Sequence, residues 1–501
     1  MKNLTIRNKL KTTAVIIALA LLIGGCSQAA LTSSPIDTES TEVTESLYSD
    51  RDYETSYDES DAISIELQDE SITITEAGTY IVTGTLEDGS IVIDAGDEDK
   101  IQLVLAGCSI TSSSSACIYV KNADKVFITT EAGTVNTLTN TEGFEADGDI
   151  NVDGVIFAKD DLTLNGEGTL VIESCDHGIV CKDELIVTSG VYDITSAEDG
   201  LQANDLIAVS GGSFTINAGD DAMHSEVDLV IDGGNIDIPE CKEGLEGNFI
   251  TINGGDITII ASDDAVNAAG DQAASLEING GTIDITTYGD GMDSNGTLSI
   301  TDGYITISGP ENAGNGSLDY DSTGSITGGT IIAAGMSGME MNFSEASQGS
   351  ILISTGAQSS GTTITITDSS GNEILSYTPT TSYSCVLISS PELEVGQTYT
   401  ITSGSSSQEV TLSDYIYGQT MGMGGFGGPG GNGFGGGQMP GDFEGGEFDG
   451  QMPGGGRGRR GFGDDNFDGQ TPPELPDDFD GETPPEPPEG FDGQTPPDMP
   501  Q

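Results

Sequence analysis

IVCKDELIVTSGVYDITSAEDG (residues 179–200), LQANDLIAVSGGSFTINAGDDA (201–222) and MHSEVDLVIDGGNIDIPECKEG (223–244) lie end to end, each 22 residues long. Gly178, Gly200, Ala222 and Gly244 close successive copies. Each copy opens with an aliphatic residue, any residue and a small one (Leu201-Gln202-Ala203). A polar turn leads to a second strand, in which Leu206 and Ala208 are expected to face inward. A Gly-rich turn (Gly211-Gly212), a third alternating strand (Phe214, Ile216) and an acidic turn follow. Three short period-2 strands per coil of about 22 residues specify an all-β chain wound as a right-handed parallel β-helix. The alternative all-β fold, a β-sandwich, does not require equivalent residues to recur at one fixed spacing.

The repeat extends in both directions. Residues 156–178 are in phase upstream; 245–265 follow, then longer copies through Gly291 and Gly316 and a looser one over 317–338. Paired glycines at one corner (Gly233-Gly234, Gly254-Gly255, Gly280-Gly281) predict positive φ at a sharp bend. Less regular β-pattern over 62–150 supplies the first coils, so the β-helix is expected over 62–349. Residues 350–417 (TTITITDSSGNEILSYTP, VGQTYTIT) read as a C-terminal β cap. Residues 418–501 are rich in Gly and Pro and end in three copies of an FDGxTPP repeat, which predicts a disordered tail.

The N-terminus specifies a compartment. A basic stretch (Lys2, Arg7, Lys9, Lys11) and the apolar run 12–23 precede Ile23-Gly24-Gly25-Cys26. This resembles the lipobox of bacterial lipoproteins and implies a signal peptide over 1–26 with lipid on Cys26. Residues 27–61, polar and acidic, are expected to tether the body. The expected location is extracytoplasmic, lipid-anchored and exposed at the cell surface, with membrane contact through the lipid alone. Of the remaining cysteines, Cys181 falls in an inward column; buried free thiols are expected.

The chain carries 83 Asp+Glu against 14 Lys+Arg, a formal net charge of −69. Such a field repels nucleic acid and anionic membrane surfaces, and it repels acidic polymers unless cations intervene. The acids are also ordered. Aligning the copies on their closing residue puts His177, Asp199, Asp221, Glu243, Asp264 and Asp290 in one column. Past the corner, Gln202, His224, Glu246, Asn267 and Asp293 share an outward column. Coils stack at about 4.8 Å, so these carboxylates become neighbours and repel. Calcium, which takes six to eight oxygen ligands in flexible geometry, suits such a ladder. The expected sites are Asp199, Asp220, Asp221 and Glu226; Glu243, Asp263, Asp264 and Asn267; and Asp290, Asp293 and Asn295. The competing reading is a solvated acidic edge of Asx-type turns. His177 and His224, the two histidines, are read as turn residues.

Several phrases in order (TYIVTGTL, IQLVLAGCSI, ACIYVKNADKVFITTEAGTVNTLT, KDDLTLNGEGTL, HGIVCKDELIV) resemble a family of bacterial cell-surface carbohydrate-binding proteins over roughly residues 70–340. The resemblance implies a β-helix related to pectate lyases, bound calcium, and binding of cell-wall polysaccharide such as polygalacturonate or cellulose. With no Trp for sugar stacking, an acidic polysaccharide is the expected partner of a monomeric, calcium-dependent binder. One alternative is a pectate-lyase-type enzyme using calcium and a lysine base, for which Lys242 or Lys182 is the candidate. Another is an adhesin or scaffold acting through its Pro-rich tail.

Overall fold

The computed structural model describes residues 46–270 and 273–418. Cys26, the first part of the expected tether and the expected tail beyond residue 418 lie outside them. The described residues contain strands and no helix. They form a parallel β-helix of about 12 turns between residues 72 and 346, as the 22-residue period requires.

Each coil contributes one strand to each of three parallel sheets. In the central coils the first sheet holds His177–Cys181, Leu201–Ala203, the start of Met223–Ile231, the start of Leu245–Ile252, Val266–Ala268 and Met292–Ser294. The second holds Glu184–Val187, Leu206–Val209 and Ser275–Ile278, together with the later halves of the two long strands. The third holds Val191–Ser196, Ser213–Ala218, Asn235–Cys241, Asp256–Ala261 and Thr282–Thr287.

Registers are strict in the first sheet. Ile156, Ile179, Leu201, Met223, Leu245, Val266, Met292 and Leu318 pair in succession and point into the core. Burying each such side chain stabilises the fold by about 1.5–3 kcal/mol, and a one-residue slip would expose the whole column. Tyr192 and Phe214 also point inward and stack, with ring centroids 4.9 Å apart. At the glycine corner Gly212, Gly234, Gly255, Gly281 and Gly303 all have φ between +92° and +109°. Six described cysteines are free, and all but Cys175 are buried.

Two expectations are corrected. In the second sheet Ile207 and Val209, rather than Leu206 and Ala208, join the core. Leu206 and Ala208 face outward with Ile186, where Tyr48 covers them. A run apolar at consecutive positions, LIAV, is what burial on both faces produces. The cover comes from the stretch expected to be tether. Asp52, 1% exposed, receives Thr163 Oγ1 at 2.6 Å and Lys125 Nζ at 2.9 Å, while its carbonyl accepts from Thr188 and Asn165. Arg51 lies over the Phe127 ring. Residues 48–52 are therefore a strap on the β-helix.

At the C-terminal end antiparallel pairing joins the parallel pairing, which persists between Gly349–Gln358 and Ile416–Tyr417. Tyr383–Ser390 pairs antiparallel with Thr330–Gly335 and with Gly349–Gln358, a strand that straddles the expected boundary at 349/350. A separate antiparallel sheet of Ile364–Thr367, Glu373–Tyr377, Thr398–Ser403 and Ser406–Thr411 follows, and it shares an apolar cluster with Ile332, Ile351 and Ile388 of those strands.

Candidate functional site

The acidic corner precedes the first sheet in the central coils, and its stacking is solved by hydrogen bonding between coils. The Asp199 N–H donates to His177 Nδ1 at 3.1 Å, and the Asp221 N–H to Asp199 Oδ1 at 3.1 Å. The Asp290 N–H donates to Asp264 Oδ1, and the Gly316 N–H to Asp290 Oδ1. One carboxylate oxygen of Asp199, Asp264 and Asp290 thus satisfies the backbone of the next coil, and the other remains for the outer face.

On that face the outward residues of the first sheet stack in register: Gln202, His224, Glu246, Asn267, Asp293 and Asp319. Asp221 and His224, or Asp290 and Asp293, lie three residues apart across a tight corner, so the two columns converge. Three clusters result, each with ligand atoms within 4.8 Å of one another: Asp199, Asp221 and His224; Asp221, Glu243 and Glu246; Asp264, Asp290 and Asp293.

The structure therefore brings together Asp199, Asp221, Glu243, Asp264, Asp290 and Asp293 from the expected sets, but divides them differently. Asn267 joins them, donating Nδ2 to Glu243 Oε2 at 2.8 Å. Asp220 is diverted to Lys242, 2.8 Å from its Nζ, and Glu226 and Asp263 are exposed and belong to none of the clusters. Asn295 gives a backbone N–H to Ala268. His224 and Glu246 were not among the expected ligands. Their signal was present in the outward column, but a column shows only stacking, and which of its members meet the corner acids depends on how sharply the chain bends.

Electrostatics follow from burial. Desolvation, reinforced by neighbouring carboxylates, pushes Asp290 and Asp293 up to about 7. Burial likewise pushes Glu243 to about 7 despite the Asn267 hydrogen bond. Asp221, buried and pressed against Glu246, is raised further. Burial would also raise Asp199, but His177 and His224 hold it below the usual carboxylate range. Asp221 Oδ1 and Asn267 Oδ1 are buried with no hydrogen-bond partner. Buried acceptors left unsatisfied are costly, and oxygens converging without donors make a coordination sphere for a hard cation. The residues present fit calcium on that ground.

The lysines expected as bases sit otherwise. The hydrogen bond to Asp220 drives the Lys242 ammonium above its ordinary value, away from what a base needs. Lys182 Nζ lies over the Phe157 ring at 5.6 Å and 3.5 Å from Gln202 Oε1. The single arginine among the described residues, Arg51 of the strap, is engaged by Glu54 and by Gln102 of the β-helix. A shallow groove of about 610 Å³ runs along the glycine corner beside Asp256, Asp302 and Tyr304. It lies outside all three clusters, so the acidic face is the better candidate.

A carbohydrate-binding domain-containing protein of Acetivibrio thermocellus is 36% identical over 129 residues, 25% of this chain and 45% of that one. The chain thus matches less than half the length of this relative. A solved structure of the polysaccharide lyase-like protein from C. thermocellum, a gadolinium derivative, is 26% identical and matches 53% of this chain and 96% of that one, with a TM-score of 0.37. Residues 68–228 and 222–404, together well over half the chain, match the family described as carbohydrate-binding domain-containing protein, and the chain belongs to that family.

Proposed function

We propose that this protein binds an acidic, polygalacturonate-like cell-wall polysaccharide in a calcium-dependent manner, without cleaving it. The observation that carries this reading is the convergence of Asp264, Asp290 and Asp293 on one open face of the β-helix. That cluster and the one of Asp221, Glu243 and Glu246 offer oxygen donors alone, the set calcium takes. Bound there, calcium would supply positive charge that both the protein's and a glycan's carboxylates can share. The residues themselves do the rest. The first sheet holds the outward column straight along successive coils, and the corner amides fix one oxygen of Asp264 and Asp290 so that the other faces outward.

Binding without cleavage is favoured by the state of the cations. Lys242 is paired and held charged, and Lys182 Nζ lies over the Phe157 ring beside Gln202 Oε1. Attachment at the cell surface through lipid on Cys26 is part of the same proposal, supported by the basic and apolar N-terminal sequence.

The test is calorimetric titration of the full-length protein with polygalacturonate, in calcium and then in excess chelator, while following ultraviolet absorbance of unsaturated products. Binding in calcium alone, with flat absorbance, is the expected result. Chelator-insensitive binding overturns the calcium bridge; steadily growing absorbance makes the protein a lyase.

A further inference from the structure

The cluster nearest the N-terminal end of the acidic ladder differs from the other two because it contains nitrogen. His224 Nδ1 lies 3.5 Å from Asp221 Oδ2, 3.7 Å from Asp199 Oδ2 and 3.8 Å from Glu246 Oε2. A charge-assisted hydrogen bond would draw one of these oxygens to about 2.7–2.9 Å, and none has come that close. Zinc ligands at about 2.0–2.1 Å stand roughly 3.3–3.4 Å from one another in a tetrahedron, close to the separations seen.

The neighbours are arranged for the same purpose. Asp199 Oδ1 is held by the Asp221 N–H, which leaves Oδ2 facing His224. His177 stands behind it, its Nδ1 accepting from the Asp199 N–H and lying 3.3 Å from Asp199 Oδ2. Asp221 is 4% exposed, and its second oxygen, Oδ1, is buried with no partner. Asp221 also belongs to the adjacent all-oxygen cluster with Glu243 and Glu246. A carboxylate with one oxygen toward His224 and the other unpaired is placed to bridge two cations.

We propose that His224, Asp199, Asp221 and Glu246 form a site for a first-row transition ion of the zinc class, distinct in metal preference from the all-oxygen clusters beside it. Imidazole favours zinc and its neighbours, whereas carboxylate and carbonyl oxygens alone favour calcium. The proposal rests on reading the corner column as metal-binding, but not on the glycan.

The full-length protein, stripped with chelator and then saturated with calcium, would be titrated calorimetrically with zinc chloride, and separately with cobalt(II) to record its visible spectrum. The expected result is one zinc equivalent that excess calcium does not displace, and a cobalt spectrum of low-symmetry, nitrogen-containing ligation. His224→Ala should weaken zinc at least about 100-fold, the upper end of what losing even an outer-shell partner costs. Glu246→Gln should weaken it too and serves as the second variant, with circular dichroism reporting the fold of both. Zinc refused in calcium, zinc uptake unchanged in both variants, or a cobalt spectrum of octahedral oxygen ligation would each overturn the site. Polygalacturonate binding measured in calcium alone keeps the readings apart: if it persists while zinc is refused, the zinc site alone falls. If zinc binds through His224 without any calcium-dependent glycan binding, the site stands and the glycan reading falls.

Discussion

Lys125 Nζ lies 2.9 Å from Oδ1 of Asp52, joining the second sheet to a strap 73 residues earlier in the chain, with both residues nearly excluded from solvent. Asp52→Ala would leave the Lys125 ammonium buried without its counter-charge. Breaking a buried pair in this way costs about 3–5 kcal/mol. Urea unfolding should register that loss, and hydrogen exchange should show residues 48–52 losing protection before the coils. Burial alone would raise the Asp52 pKa, but hydrogen bonds from Thr163, Ser49 and Lys125 lower it. A carboxylate depressed in the folded state stabilises above its unfolded pKa of about 3.9, and that contribution is lost as pH falls toward the folded value. The strap should therefore loosen in acid below about pH 4.

The corner acids should act in the opposite sense. Glu243, Asp290 and Asp293, raised to about 7, bind more protons in the folded than in the unfolded state between roughly pH 4 and 7. The chelator-treated protein should thus lose stability as pH rises through that window. Calcium should flatten this slope and raise the melting temperature at pH 8. At 100 times its dissociation constant, a ligand confined to the folded state adds about 2.7 kcal/mol per site. Scanning calorimetry at pH 5 and pH 8, with and without chelator, gives both numbers. Equal pH slopes in the two conditions would remove the carboxylate ladder as the calcium site.

Gly281 should resist a side chain more than Gly107 does. Its φ is +92°, and a Cβ there would stand 3.0 Å from the Gly255 carbonyl oxygen of the coil before. Gly107, at φ +83°, has open space where its Cβ would be. Gly281→Ala should cost about 1–3 kcal/mol, and Gly107→Ala only the left-handed part, about 1–2 kcal/mol. Denaturant midpoints of the two variants test this order.

Lys242→Ala should change little. Its Nζ pairs with Asp220 near solvent, and exposed pairs contribute about 0–1 kcal/mol. Polygalacturonate affinity in calcium should stay within about fivefold, the Boltzmann factor of the upper end of that range. A large fall in product formation by this variant would instead identify Lys242 as a base.

Sequence alone determined the winding of this chain and the columns of its acids. A 22-residue period, three alternating strands per period and paired corner glycines leave a parallel β-helix as the arrangement that buries every aliphatic column, and stacking places Asp199 over Asp221 by arithmetic. Tertiary structure decided the rest. Whether Asp221 meets His224 or Glu226 depends on the angle of one corner, and a two-residue difference in outward position separates a buried cluster from an exposed side chain. Likewise Leu206 and Ala208 carried a legible sign of double burial, but only the strap's docking through Tyr48 and Asp52 explains which element covers them. Periodicity records what recurs from coil to coil; the strap and the nitrogen-bearing cluster each occur once, and a repeat cannot encode them.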